Sequence, residues 1–278
     1  MTVRRFAAIA AFAFAGQLHA FTWTALWWNP AESGWGVTIT EQGNVIVIAF
    51  LVYGTDGLPH WFEAAAYRGS TPETGYPAWT GDMYESTGPF YGGPFNPANV
   101  TTRKVGTVTF SPATPGTATL KYSIDGVVVT KPIERQTFQP VRLVGGYSGV
   151  YRIVESNCAG YPADFPGNSG NIFVGISRMA TNPDGVTGNL TALIGINGGS
   201  CSASFQGTYK QYGSVFEIAT VTACSNATTW PATARFTDLD VALVEGRQGN
   251  ASMQGNVIAQ GADGCQARLS VSVQRTLP

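Results

Sequence analysis

Residues 44–57 read NVIVIAFLVYGTDG, an almost unbroken β-branched, aliphatic and aromatic run stopped by a Gly-Thr-Asp-Gly turn. The run is short and ends on hairpin punctuation, so it predicts a strand rather than a buried helix. The same grammar recurs down the chain. LPHWFEAAAY reads as the partner strand and RGSTPETGYP as a loop; KVGTVTF, GTATLKYSI and VVVTKPIERQTF read as further strands, the last two joined through Asp125-Gly126. Outside the first twenty residues, no window keeps apolar residues at i, i+3, i+4 and i+7 over a helical length. The chain is predicted to be all-β. Consecutive short strands with tight turns favour antiparallel up-and-down barrels or sandwiches, because closing a sheet leaves no bare edge.

After QPVRLVGG at 139–146 the pattern restarts with YSGVYRIV. Strands are predicted there and at 171–177, 187–196, 202–209, 214–222, 232–237, 239–244, 251–259 and 265–274. The predicted organisation is a leader over 1–20, a tryptophan-rich β unit over 21–144 and a β-barrel-like unit over 145–278. Each unit is long enough to bury its own core. Six of the seven tryptophans fall in the first unit and all four cysteines in the second. GTATLKYSIDGVVVTKPIERQTF and GNASMQGNVIAQGADGCQARLSVSVQRTL share a Gly-x-Ala start, an Asp-Gly turn and a basic finish. The echo fits two related meanders, and equally the common grammar of edge hairpins.

MTVRR followed by FAAIAAFAFAG and QLHA is the pattern of a secretory signal peptide, cut after Ala20 with Gly16 as the second choice. It predicts a secreted or periplasmic protein. No later segment approaches the ~20 apolar residues of a membrane-spanning helix. Taking Arg4 and Arg5 from the 16 basic residues leaves 14 against 17 acidic ones, with no basic cluster, which argues against nucleic acid as a partner. In an exported chain, Cys158, Cys201, Cys224 and Cys265 predict two disulfides with three possible connectivities. Cys201–Cys224 is favoured because hairpin arms lie between them, leaving Cys158–Cys265. A bridge of that span contributes roughly 3 kcal/mol in the chain-entropy model. Zinc lacks both the spacing and the histidines.

Six tryptophans gather between residues 23 and 79, most densely in WTALWWNPAESGWG. Asn29-Pro30 and Ser33-Gly34 bracket a tight connection, in which Asn caps through its side chain and Gly permits positive φ. Neighbouring strand residues point to opposite faces, so Trp27 and Trp28 cannot both face inward unless a bulge intervenes. An inward indole plugs the core; an outward one beside Trp61, Trp79 or Tyr84 can stack on a sugar ring. Glu32 reads either as an acceptor for backbone or indole N–H groups or as a ligand-contacting carboxylate.

LWWNPAESGWGV, EQGN, AFLVYGTDGLPHWF, TGDMYESTGPF, VGTVTF and GTATLKYSIDGVVVTKPIERQTF together resemble a bacterial exported β-rich domain of the W-W-N-P-x-E-S-G-W-G type. The match covers residues 23–138. Such domains occur alone, duplicated or appended to secreted hydrolases; the resemblance implies an exported β fold and supplies no catalytic residue. Residues 146–278 are similar only in a general way to small lipocalin- or avidin-like barrels.

Little in the sequence points to catalysis. His60 is the one histidine after the leader, and no G-x-S-x-G elbow exists. No phosphate loop or dinucleotide fingerprint suggests a cofactor. NPDG at 182–185 and Asp238 with Asp240 read as turn-formers and solvated strand residues before calcium ligands. The expected function is therefore an exported, non-catalytic binding or accessory protein. It would present Trp27, Trp28, Glu32, Trp35, Trp61 and Asp82 to an extracellular glycan or a small apolar ligand. The alternatives are a structural or protein-interaction module of the envelope or matrix, and a glycan hydrolase drawing paired carboxylates from Glu32, Glu41, Glu63, Asp82 and Glu85.

Overall fold

Strand β1 (Ala25–Trp28) leads through a 3₁₀ turn at Pro30–Glu32 into β2 (Gly36–Gln42). The turn starts as its residues dictate: Asn29 Oδ1 accepts the Ala31 N–H at 3.0 Å, and Gly34 takes a φ of 120°. An antiparallel meander follows through β3 (Val45–Tyr53), β4 (Pro59–Arg68), β5 (Trp79–Thr87), β6 (Thr101–Pro112), β7 (Thr117–Ile124) and β8 (Val127–Arg135). The last hairpin turns on Asp125 and Gly126, both at positive φ. β8 then pairs with β1 and closes an eight-stranded barrel.

A second meander runs through β9 (Gly145–Ser156), β10 (Ser169–Thr181), β11 (Thr187–Ile196), β12 (Cys201–Tyr212), β13 (Val215–Val221), β14 (Thr233–Leu243), β15 (Ala251–Gln260) and β16 (Gln266–Leu277). β9 pairs with both β10 and β16, which closes a second eight-stranded barrel. This computed structural model describes residues 22–70, 75–156, 169–196, 201–221, 233–243, 251–260 and 266–277. Residues 1–20, predicted as a leader, lie outside them, as do Cys158, Cys224 and Cys265 of the predicted disulfides; Cys201 opens β12, but its side chain is not described.

The two strands predicted at 232–237 and 239–244 are one, β14. A register shift between Phe236 and Asp240 breaks the alternation that separates strand from turn in the sequence. Strand β5 had no prediction, because TGDM punctuates it with a glycine and an aspartate.

Eight strands enclose an interior just wide enough for side chains to fill. The first barrel is packed with Trp27, Phe50, Trp79, Met83, Phe110 and the isoleucines of β2 and β3. The second is packed with Tyr147, Tyr151, Tyr209, Phe216 and aliphatic residues.

Both barrels are fastened at the same place. In the first, the Trp27 indole N–H donates to the Trp23 carbonyl, four residues earlier, at 3.2 Å. In the second, the Tyr147 hydroxyl donates to the Leu143 carbonyl, also four residues earlier, at 2.9 Å. The guanidinium of Arg135, on the last strand, lies 5.1 Å from the Trp27 ring centre and donates to the Thr22 and Pro115 carbonyls. Arg275, on the last strand of the second barrel, lies 5.8 Å from the Tyr147 ring and donates to the Val144 carbonyl. The basic finishes of the two echoing segments thus occupy equivalent positions, each stacking a cation on the aromatic of its barrel's first strand.

Residues 136–143 are stitched to the β12–β13 hairpin. Gln211, buried in the seam, accepts the Val141 N–H at 3.0 Å and donates to the Gln139 and Gly213 carbonyls. Glu134 of β8 binds Lys210 of β12 at 2.8 Å. A Cβ at Gly116 would run into the Tyr212 ring, so the two barrels touch closely there.

Candidate functional site

The outer face of the first barrel carries an apolar row. Registration sets Leu51 of β3 opposite both Gly36 of β2 and Trp61 of β4. On the other side of Gly36 stands Trp28 of β1, which pairs in turn with Glu134 of β8. Reading along the hydrogen-bonding direction, the row is Glu134, Trp28, Gly36, Leu51, Trp61. From Trp28 to Trp61 it crosses three strand spacings, roughly 14 Å. Trp61 is 52% exposed and Leu51 54%, while Trp28 is half-buried. Gly36 itself is buried, with the Leu26 side chain 3.7 Å from where its Cβ would stand. Tyr53 stands beside the row, its hydroxyl donating to the Gly34 carbonyl at 3.0 Å.

The predicted site residues divide between the inside and the outside. Trp27 is 0% exposed and makes an edge-on contact with Phe110, ring centres 5.1 Å apart. It is a core residue, and the reading of it as part of an open surface is corrected: its parity on β1 is the inward one. Trp28 and Trp61 take the outward parity and share the row. Asp82 lies on the same outer face but beside Ala65, two registration steps from Trp61, where its carboxylate holds Lys104 at 2.8 Å. Trp79, weighed as a stacking neighbour, is buried.

Glu32 and Trp35 form a separate group at the barrel rim. Because successive strands alternate direction, the connections 29–35, 54–58, 88–100 and 125–126 all leave from this end. The Trp35 indole N–H donates to Glu32 Oε2 at 2.9 Å, Lys131 binds the same oxygen, and the Lys131 ammonium lies 5.2 Å from the Trp35 ring centre. The hydrogen bond from Lys131 holds the Glu32 pKa below its ordinary value, with Trp35 adding to the effect and desolvation opposing it. Across the rim, Arg103 bridges Glu85 and Asp125, and His60 sits 3.5 Å from Glu85 and 3.8 Å from Asp56. The Arg103 hydrogen bond lowers the Asp125 pKa.

The five carboxylates proposed for hydrolysis are divided among different parts of the first barrel. Glu41 accepts the Trp23 N–H at 2.7 Å on the strand-end away from the rim. Glu63 and Asp82 face outward, and Glu32 and Glu85 are each held by a cation. Lowering the Glu32 pKa is the wrong direction for a general acid. Asp184 of NPDG accepts the Thr187 hydroxyl and the Val186 and Thr187 N–H groups, which makes it a turn-former. Among the described residues, no group of three or more His, Cys, Asp or Glu side chains gathers as a metal site.

Sequence reasoning passed over Leu51, Tyr53, Lys131 and the loop aromatics Phe90, Tyr91 and Phe95. The signal for the first two was present. A strand buried on one face alternates apolar and polar residues, whereas NVIVIAFLVY is apolar in both phases, so its outer face had to be apolar too. Phe90, Tyr91 and Phe95 are all strongly exposed, Tyr91 at 94%. No protein-family model matches the chain, and no curated protein matches it.

Proposed function

We propose that the protein is an exported, non-catalytic binding protein whose first barrel holds an extended glycan against the row Trp28–Leu51–Trp61. On this reading, residues 23–138 are a domain of the W-W-N-P-x-E-S-G-W-G type. The observation that carries it is the exposure of Trp61 and Leu51 side by side on a strand pair whose inner face is fully packed. Pyranose faces are apolar and their edges polar, so a flat indole on a stiff support supplies the area, and Glu63, Tyr53 and Glu134 nearby supply partners for hydroxyls. A rigid barrel loses little entropy on binding.

Titrating the protein with cellohexaose, chitohexaose and xylohexaose tests this, with tryptophan fluorescence and calorimetry as readouts. At least one probe is expected to bind, and Trp61→Ala to weaken it about tenfold while changing stability by no more than about 0.5 kcal/mol. Unchanged affinity in that variant would sink the proposal.

A second reading rests on a different observation. Phe90, Tyr91 and Phe95 project from the 88–100 connection, Val127 and Val128 open strand β8 at the same end of the barrel, and all five are exposed. Such a rim suits a protein-interaction or matrix module. It predicts concentration-dependent association in analytical ultracentrifugation, abolished by Tyr91→Ser with Phe95→Ser; a monomer at every concentration would exclude self-assembly.

A further inference from the structure

The second barrel carries a trough on the outer face of β10–β13. Registration places Thr191 beside Gln206 in one row and Asn189 beside Thr208 in the next. These are neutral groups that both donate and accept; they share the lining with Arg178, and they stand over a floor that Ala180 and Ala219 keep low. The concavity has a volume of about 600 Å³ and adjoins one of about 420 Å³, sharing Asn189, Thr208 and Ala219. Volumes of this order suit a small ligand or a short polymer segment.

The smaller hollow reaches the seam between the barrels. Lys210 and Glu217 stand opposite one another there. Lys210, however, is drawn to Glu134 of the first barrel, and Glu217 Oε1 is shut from solvent without a hydrogen-bond partner. Glu134 is also the residue beside Trp28 in the first barrel's row. One ion pair, Glu134–Lys210, therefore joins the end of the aromatic row to the end of the polar trough. The Gln211 stitching holds that junction.

We infer that the trough is a second subsite for a neutral, hydroxyl-rich polymer, and that one glycan chain runs from Trp61 across the seam to Asn189 and Thr208. The inference rests on the glycan reading of the first barrel for the identity of the polymer. The two surfaces differ in how they bind: the row by apolar area, the trough by hydrogen bonds. Linking them in one ligand raises the effective concentration of the second contact, so affinity climbs with chain length.

The experiment measures affinity against chain length, using cello-oligosaccharides, chito-oligosaccharides and xylo-oligosaccharides from trimer to decamer. Four proteins are compared: the wild type, Trp61→Ala, Asn189→Ala with Thr208→Val, and Ala219→Phe, which fills the floor from an exposed position. Thermal melting checks each fold. The wild type is expected to gain at least about tenfold from the shortest to the longest binding oligomer. Both trough variants should bind the short oligomers as the wild type does and lose the gain with length. A gain that survives both trough variants overturns the trough and leaves the row standing. If Trp61→Ala alone changes nothing while the trough variants lose binding, the row fails and the trough remains. Binding of no oligomer to the wild type overturns both.

Discussion

The two barrels share a topology and differ in what they turn outward. The first fills its interior with tryptophan and phenylalanine and still leaves Leu51, Tyr53 and Trp61 exposed. The second fills its interior with tyrosine and aliphatic residues and exposes Asn189, Gln206 and Thr208. Closure constrains only the inward parity of each strand, because an eight-stranded interior has a fixed width to be packed. The outward parity is free of that demand. It is there that one barrel carries an apolar row and the other a polar trough.

The largest effect is expected inside the first barrel. Trp27→Ala removes a fully buried indole and should destabilise by about 3–5 kcal/mol, read from chemical unfolding. If the barrels unfold separately, only the first transition should move. A loss near zero would mean that Trp27 is not the plug that its contacts with Trp23, Phe110 and Arg135 make it.

Next come the two fastening arginines, which test how alike the barrels are. Arg135→Leu and Arg275→Leu each remove cation-assisted hydrogen bonds to main-chain carbonyls, at a cost of about 2–3 kcal/mol. Arg135 is the more deeply buried and should cost the more. Should either substitution be silent in thermal denaturation, the equivalence of the two latches fails.

The smallest effect concerns acid. Glu32 has a folded pKa below its ordinary 4.5, chiefly through Lys131. Asp184 lies below its ordinary 3.8, chiefly through the Thr187 hydroxyl and then main-chain N–H groups. For a lowered carboxylate, the contribution is fully present above the unfolded value and disappears as pH falls through the folded one. Thermal stability should therefore fall on acidification, the Glu32 contribution fading first because its ordinary value is higher. Glu32→Gln should flatten the first part of that fall, and added salt should weaken it, since an exposed ion pair is screened. Asp184, held by hydrogen bonds within its own turn, should respond little to salt. An acid limb identical in the wild type and Glu32→Gln would refute the assignment.

Much of this architecture was legible in the residues. Strand β11 was read at 187–196, where it lies, because its alternation is regular and its flanking turns are rich in Gly, Asn and Asp. The turn at Asn29-Pro30 was legible for the same local reason. Strand β14 was read as two because a register shift disturbs the period, and a shift is visible only against the partner strand. Among the site residues, the opposed parity of Trp27 and Trp28 followed from the pleat, but which of the two faced inward did not. Lys131 lies 99 residues from Glu32, a separation that no local pattern can span.

Sequence alone determined that the chain would be built of consecutive antiparallel strands, because period, turn residues and β-branched composition act over a few neighbouring positions. Tertiary structure decided the rest: which indoles were sealed and which lay open, how Glu134 came to meet Lys210, and where Leu51 and Trp61 lined up. Those outcomes depend on registration between strands and on barrel closure, and both are settled by packing between residues far apart in the chain.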